Sequence, residues 1–197
     1  MKTRISIFLL FMAIFASAQD TTRAFSLNGG LAFDNYGYLA NSTTPTSTEY
    51  AGLRITPDWR FARHWGVRLD VGAGWAFASN TTGIWEKPMH SITSISLAVA
   101  PYYEFIIRQW YVDLALLAGC RYRMPYMNGE FSKYLQTLTV GVGADVRFGY
   151  MFTRNWGVFA NLQAERTVYD LLYDAFYSTR SKPAGCIGAS VGVTYRF

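Results

Sequence analysis

One short phrase returns three times along this chain: Arg63-His64-Trp65-Gly66-Val67, Arg108-Gln109-Trp110-Tyr111-Val112 and Arg154-Asn155-Trp156-Gly157-Val158, at separations of 45 and then 46 residues. Each copy follows a phenylalanine by two or three residues (Phe61, Phe105, Phe152) and opens a stretch of period-two alternation. That combination marks a tight turn between two strands. Three such turns imply eight strands.

The alternation is cleanest in the last strand, where Ile187, Ala189, Val191, Val193, Tyr195 and Phe197 share one face and Gly188, Ser190, Gly192, Thr194 and Arg196 the other. It recurs from Leu138 to Phe148 and from Trp65 to Trp75. A soluble barrel would alternate too, so the question is which face points inward. Glycine-rich faces leave room for long charged side chains in a narrow lumen, whereas a continuous belt of Val, Leu, Trp and Phe suits lipid. In water that arrangement would bury the charges and expose the apolar belts, which gains nothing from the hydrophobic effect. The pattern therefore predicts an all-β, eight-stranded antiparallel up-and-down transmembrane β-barrel.

Strands are expected near residues 22–33, 49–60, 65–77, 89–104, 110–121, 135–149, 156–169 and 185–197. Most reach the roughly 9–11 residues that a tilted spanning strand requires. The connections alternate short, holding Arg63, Arg108 and Arg154, and long, over 34–48, 78–88, 122–134 and 170–184. Tight periplasmic turns and longer external loops are the asymmetry of a bacterial outer-membrane barrel, with both termini in the periplasm. Trp59, Trp65, Trp110 and Trp156 flank the short turns, at the depth of an interfacial aromatic girdle, and Trp75 and Phe77 approach the opposite rim. The recurring arginines then lie near the inner-leaflet phosphates or are simply solvated turn residues. Pro57 and Pro101 cannot donate to a ladder, so a bulge or the onset of the turn is expected at each.

Residues 1–18 carry Lys2 and Arg4, an apolar run from Ile5 to Phe15 and then Ala16-Ser17-Ala18, the three parts of a secretory signal cut before Gln19. The run is too short to span a bilayer as a helix. Residues 19–197 form one domain, since no linker divides them. Removing the signal lowers the formal charge from +5 to +3, and the charges lie singly among alternating segments, so no nucleic-acid face is expected. Cys120 and Cys186 fall on non-adjacent strands, pointing outward and inward respectively, and are expected as free thiols.

By the same phase the inward set holds Arg54, Arg68, Arg121, Arg147 and Arg196 against Asp70, Glu104, Asp113, Asp145 and Glu165. Five positive side chains meet five negative ones in a lumen that side chains can just fill, which suggests a salt-bridge plug; a selective pore is the alternative. His90-Ser91 is the one His-Ser neighbour pair, but adjacent strand residues point to opposite faces, so it makes a poor catalytic site. No catalytic, metal or cofactor residues are assigned. The long loops concentrate aromatic and apolar residues (Tyr36, Tyr38, Trp85, Tyr126, Phe131, Tyr134, Leu171, Leu172, Tyr173, Phe176, Tyr177), which either bind an extracellular ligand or extend the outer girdle.

The segment Gly149 to Val158, with its Phe152, Arg154 and Trp156, resembles the turn motif of small outer-membrane beta-barrel domain proteins, the porin-like family abundant in Bacteroidetes. The resemblance covers the chain from Gln19 onward. It implies residence in the outer membrane of a Gram-negative bacterium, contact with membrane lipids and lipopolysaccharide, and a C-terminal signal, Tyr195 and Phe197, read by the barrel-assembly machinery. It also makes Asp20-Thr21-Thr22 similar to a glycosylation sequon of that group. It implies little chemistry, because the fold hosts many functions.

Overall fold

The computed structural model describes residues 24–40, 46–79, 91–127, 130–131, 137–170 and 181–197. Eight long antiparallel strands, β1 (Ala24–Ala40), β2 (Thr46–Arg60), β3 (Trp65–Ser79), β4 (Ser91–Ile107), β5 (Trp110–Met127), β7 (Thr137–Met151), β8 (Trp156–Asp170) and β9 (Ser181–Arg196), pair in sequence order. β6 (Glu130–Phe131) is a two-residue strand paired with the end of β5. β9 returns to β1 with Ser26 opposite Arg196, which closes the sheet into an eight-stranded barrel and leaves no free edge.

The interior is polar and the exterior apolar. Asn28, Thr56, Arg68, Asp113, Arg147, Asn161 and Thr194 are buried, while Leu31, Leu53, Leu116, Leu162 and Val191 are exposed. That inversion of a soluble core is stable when the outside solvent is hydrocarbon, and a closed barrel satisfies every backbone group there.

The height of the apolar band can be read from the girdle. Ten residues separate Phe25 from Asn35, Trp59 from Glu49, Trp65 from Trp75 and Trp156 from Arg166, and no outward-facing position between them is charged. Ten residues at about 3.3 Å each, tilted by about 40°, rise about 25 Å, the thickness such barrels present to lipid.

The strands run 15–18 residues, well past that band. The segments expected as loops are correspondingly shorter: 34–48 is strand up to Ala40 and again from Thr46, 122–134 is strand up to Met127, and 170–184 is strand from Ser181. Asp34 and Tyr36 therefore belong to β1, and Tyr36 is buried inside the barrel with its hydroxyl against Thr139 Oγ1 (3.2 Å) and Thr167 Oγ1 (2.9 Å). Tyr38 lies in β1, Tyr126 in β5 and Phe131 in β6. Trp85, Tyr134, Leu171, Leu172, Tyr173, Phe176 and Tyr177 fall outside the described residues.

The prolines differ from expectation. Around Pro57 the β2–β3 ladder lapses between Ile55↔Val71 and Asp58↔Arg68, and around Pro101 the β4–β5 ladder lapses between Val99↔Ala118 and Tyr102↔Ala115, both without a change of register. The missing N–H costs a ladder bond on one side but inserts no residue. The bulges lie at Gly37/Tyr38, Glu49/Tyr50 and Val140/Gly141, all on the loop side.

The three repeats build the three short turns. In the first and third, two successive N–H groups converge on the tryptophan carbonyl: Phe61 and Ala62 on Trp65 (3.1 and 3.2 Å), Phe152 and Thr153 on Trp156 (3.1 Å each). The middle copy, which has Tyr111 in place of glycine, makes a two-residue turn instead, with Arg108 at φ 58°. In all three the last turn carbonyl, of His64, Gln109 or Asn155, accepts from the next strand's Glu104, Met151 or Arg196 N–H at 2.7–2.8 Å. The copies thus perform one joinery role despite different lengths.

Candidate functional site: the charged lumen

All ten residues of the expected inward set lie inside the barrel, and the structure adds Asp34, Asp58, Arg60 and Arg123 to them. Among the described residues seven arginines (Arg54, Arg60, Arg68, Arg121, Arg123, Arg147, Arg196) share the interior with seven carboxylates (Asp34, Asp58, Asp70, Glu104, Asp113, Asp145, Glu165). There is no lysine among them. A guanidinium carries five donors in a planar fork, so one arginine can bridge several strands, which a point-like ammonium does less well.

The network has three tiers. Nearest the short turns, Glu104 receives Arg60 and, at 2.5 Å, Arg196, whose guanidinium also covers the Tyr111 ring. At mid-height Arg68, fully buried, donates through Nε to Asp58 (3.0 Å), through one terminal nitrogen to both oxygens of Asp145 (2.9 and 3.0 Å) and through the other to Asp113 (2.7 Å). Arg147 donates to the second oxygen of Asp58 (2.6 Å) and to Thr56 Oγ1 (2.8 Å), and Asn28 Nδ2 completes Asp58 at 3.0 Å. Toward the loops, Arg54 donates to Asp34 (3.0 Å) and to Gln163 Oε1 (2.7 Å), with Asp70 at 3.4 Å. Arg121 shares Asp34 (2.9 Å) and approaches Glu165 (3.7 Å), and Arg123 lies over the Tyr36 ring at 4.1 Å.

Taking a charge out of water costs several kcal/mol, and only close, multiply hydrogen-bonded partners offset it. The glycines supply the space for those partners. A Cβ at Gly188 would lie 2.2 Å from Asp34 Oδ1, and one at Gly141 2.2 Å from Glu165 Oε1. Nearer the turns the same device seats aromatic rings, with Gly66 beneath Tyr102 and Gly149 beneath Tyr111. Among the described residues small cavities lie between the tiers, each with room for about one water.

Outside the lumen, Trp65, Trp110 and Trp156 are exposed on the girdle, and Arg63, Arg108 and Arg154 are exposed in the turns. Phe197 packs on Phe25 and Tyr195 (5.3 and 4.8 Å), and Tyr195 on Trp156 (4.8 Å), so the C-terminal aromatics join the girdle. Cys186 is buried inside, opposite Tyr36 and Glu165, and Cys120 is half-buried on the outer face; both are free thiols. His90 lies outside the described residues. His64 is engaged by the Glu104 carbonyl (2.8 Å) and stacks on Tyr103. Among the described residues no group of three His, Cys, Asp or Glu is placed to hold a metal, because arginines stand between the carboxylates.

No curated protein matches this sequence closely enough to count as a relative. Solved structures with the same fold include Neisserial surface protein A (15% identity, 88% of this chain and 99% of that one, TM-score 0.65). The attachment invasion locus protein Ail of Yersinia pestis also matches (14%, 89% and 99%, 0.54), as does OprG of Pseudomonas aeruginosa (12%, 91% and 98%, 0.55). At such identities the likeness is one of fold. The model of the outer membrane protein beta-barrel domain matches residues 6–197. With its polar interior, lipid-facing belt and aromatic girdle, the chain belongs to the outer membrane protein beta-barrel domain family, a protein of the Gram-negative outer membrane.

Proposed function

We propose that this barrel is a non-enzymatic outer-membrane protein whose lumen is closed by its own ion pairs, and that it acts in envelope structure, adhesion or partner binding through the loops it presents outside. The observation that carries the reading is the mid-height tier, where Arg68 bridges three carboxylates from β2, β5 and β7 across the full width of the lumen. A conducting barrel needs a continuous wet path, and eight strands leave an interior that side chains fill. The same account has residues 1–18 removed on export and Tyr195 and Phe197 read during assembly, with both termini in the periplasm. Contact with lipopolysaccharide and with an extracellular ligand belongs to the loop side.

Cys186 offers a native probe. In a Cys120→Ser background refolded into liposomes, a charged, water-soluble thiol reagent is expected to leave Cys186 unmodified and to react fully once the chain is unfolded. Modification of the folded barrel at a rate close to that of the unfolded chain would show water inside from the loop side and promote the channel.

A further inference from the structure

Arg63, Arg108 and Arg154 stand exposed on three successive short turns, and none makes an ion pair with a described residue. Among the described residues no exposed side chain at that end is acidic, so the exposed charged side chains there are arginines. Their setting is not that of ordinary solvated turn residues. Ile107, directly before Arg108, is 70% exposed, and Phe152, two residues before Arg154, is 52% exposed. Trp65, Trp110 and Trp156 follow each arginine by two residues and are exposed as well. Exposed apolar groups on both sides of Arg108 and Arg154, and Trp65 beside Arg63, place the turn tips in the interface and not in bulk water. Arg108 adds a second observation: it holds φ 58°, a left-handed conformation that glycine would adopt without steric cost. An arginine kept where glycine fits better points to a use for its side chain.

We propose that the three turn arginines form a repeated binding site for the headgroup phosphates of anionic phospholipids in the periplasmic leaflet. Each arginine precedes its exposed tryptophan by two residues at the turn, so a lipid whose glycerol region lies against the ring has its phosphate on the side where the arginine stands. A guanidinium recognises a phosphodiester through paired N–H donors. The inference rests on the outer-membrane placement and is independent of whether the lumen is closed.

The test is tryptophan quenching by brominated lipids in a Trp75→Phe, Trp85→Phe background, which leaves Trp59, Trp65, Trp110 and Trp156 as reporters at the periplasmic girdle. Brominated phosphatidylglycerol is titrated into phosphatidylcholine bilayers holding the refolded barrel. At low salt the parent should prefer the anionic lipid, by up to about fivefold for each arginine in contact. The preference should fall to about one in the Arg63→Gln, Arg108→Gln, Arg154→Gln triple variant and persist in the triple Arg→Lys variant. Heat-modifiable gel mobility checks folding, and if the triple variant does not fold, the three single Gln variants should each lower the preference by part of the total. A parent without preference, or a preference that survives all Gln substitutions, would overturn the site. Equal binding of inorganic phosphate to the barrel in neutral detergent would overturn the assignment to lipid.

Discussion

Arg68→Ala removes the hub of the mid-height tier, and its cost can be worked from the contacts. Asp58 keeps Arg147 at 2.6 Å and Asn28 at 3.0 Å, so it stays satisfied. Asp113 and Asp145 have no other ion-pair partner among the described residues, and both are nearly fully buried. Breaking a buried pair from one side leaves an uncompensated charge and costs about 3–5 kcal/mol. Two carboxylates are stranded here, but either can take up a proton, which holds the total near the upper end of that range and not at its double. The stack of the Arg68 guanidinium on Tyr102, at 5.1 Å, is lost as well. With a urea slope of about 2–3 kcal/mol/M, a loss of about 5 kcal/mol should lower the unfolding midpoint by roughly 2 M. The assay is equilibrium unfolding of the refolded barrel in detergent, followed by tryptophan fluorescence. Arg68→Lys, which keeps the charge but not the fork, should fall between the parent and the alanine variant. A midpoint for Arg68→Ala unchanged from the parent's would refute the claim that these pairs hold the lumen together.

Other expectations follow from the two faces. Gly149→Ala places a Cβ 2.0 Å from the Tyr111 ring and disturbs its 2.9 Å contact with Thr194, so it should destabilise the barrel by about 1–3 kcal/mol. Gly29→Ala, with nothing within 4 Å, should be neutral or slightly stabilising in the same unfolding assay. Leu116, 68% exposed and six residues above Trp110 on β5, faces the middle of the band; Leu116→Arg should cost about 2–4 kcal/mol in liposome-based unfolding, against about 0–1 for Trp110→Arg at the interface. Arg108→Gly should raise stability in detergent by about 1 kcal/mol through relief of the left-handed strain, read as a higher urea midpoint.

The sequence carried the barrel because each strand must be apolar on one side for the whole height of the membrane. That requirement sets the phase of β3, β7 and β9 well enough for the residue pattern alone to place Arg68, Asp70, Asp145, Arg147 and Arg196 inside. The same requirement explains what it concealed. Above the band the outer face turns polar at Asn35, Glu49 and Arg166, so the alternation fades while the hydrogen-bonded ladder continues. Asp34, Tyr36 and Arg123 look like loop residues for that reason, although continuing the count by twos from Ala32 or Arg121 would have brought them inward. Asp58 and Arg60 were obscured by Pro57 and Trp59, whose proximity to the turn disguises a parity that runs unbroken from Arg54. Partner choice within the network was beyond reach, since it depends on the stagger of strands that are far apart in sequence: Arg68 meets Asp145 across 77 positions.

Single-channel recording tests the central claim most directly. Residues 19–197, refolded with heat-modifiable mobility as proof of a barrel, are inserted into a planar bilayer and held at voltages of either sign. A lumen closed by ion pairs predicts electrical silence from the parent, with current appearing only in variants that dismantle the mid-height tier. A stable open level in the unmodified protein would contradict the account and recast the seven arginines and seven carboxylates as the lining of a pore.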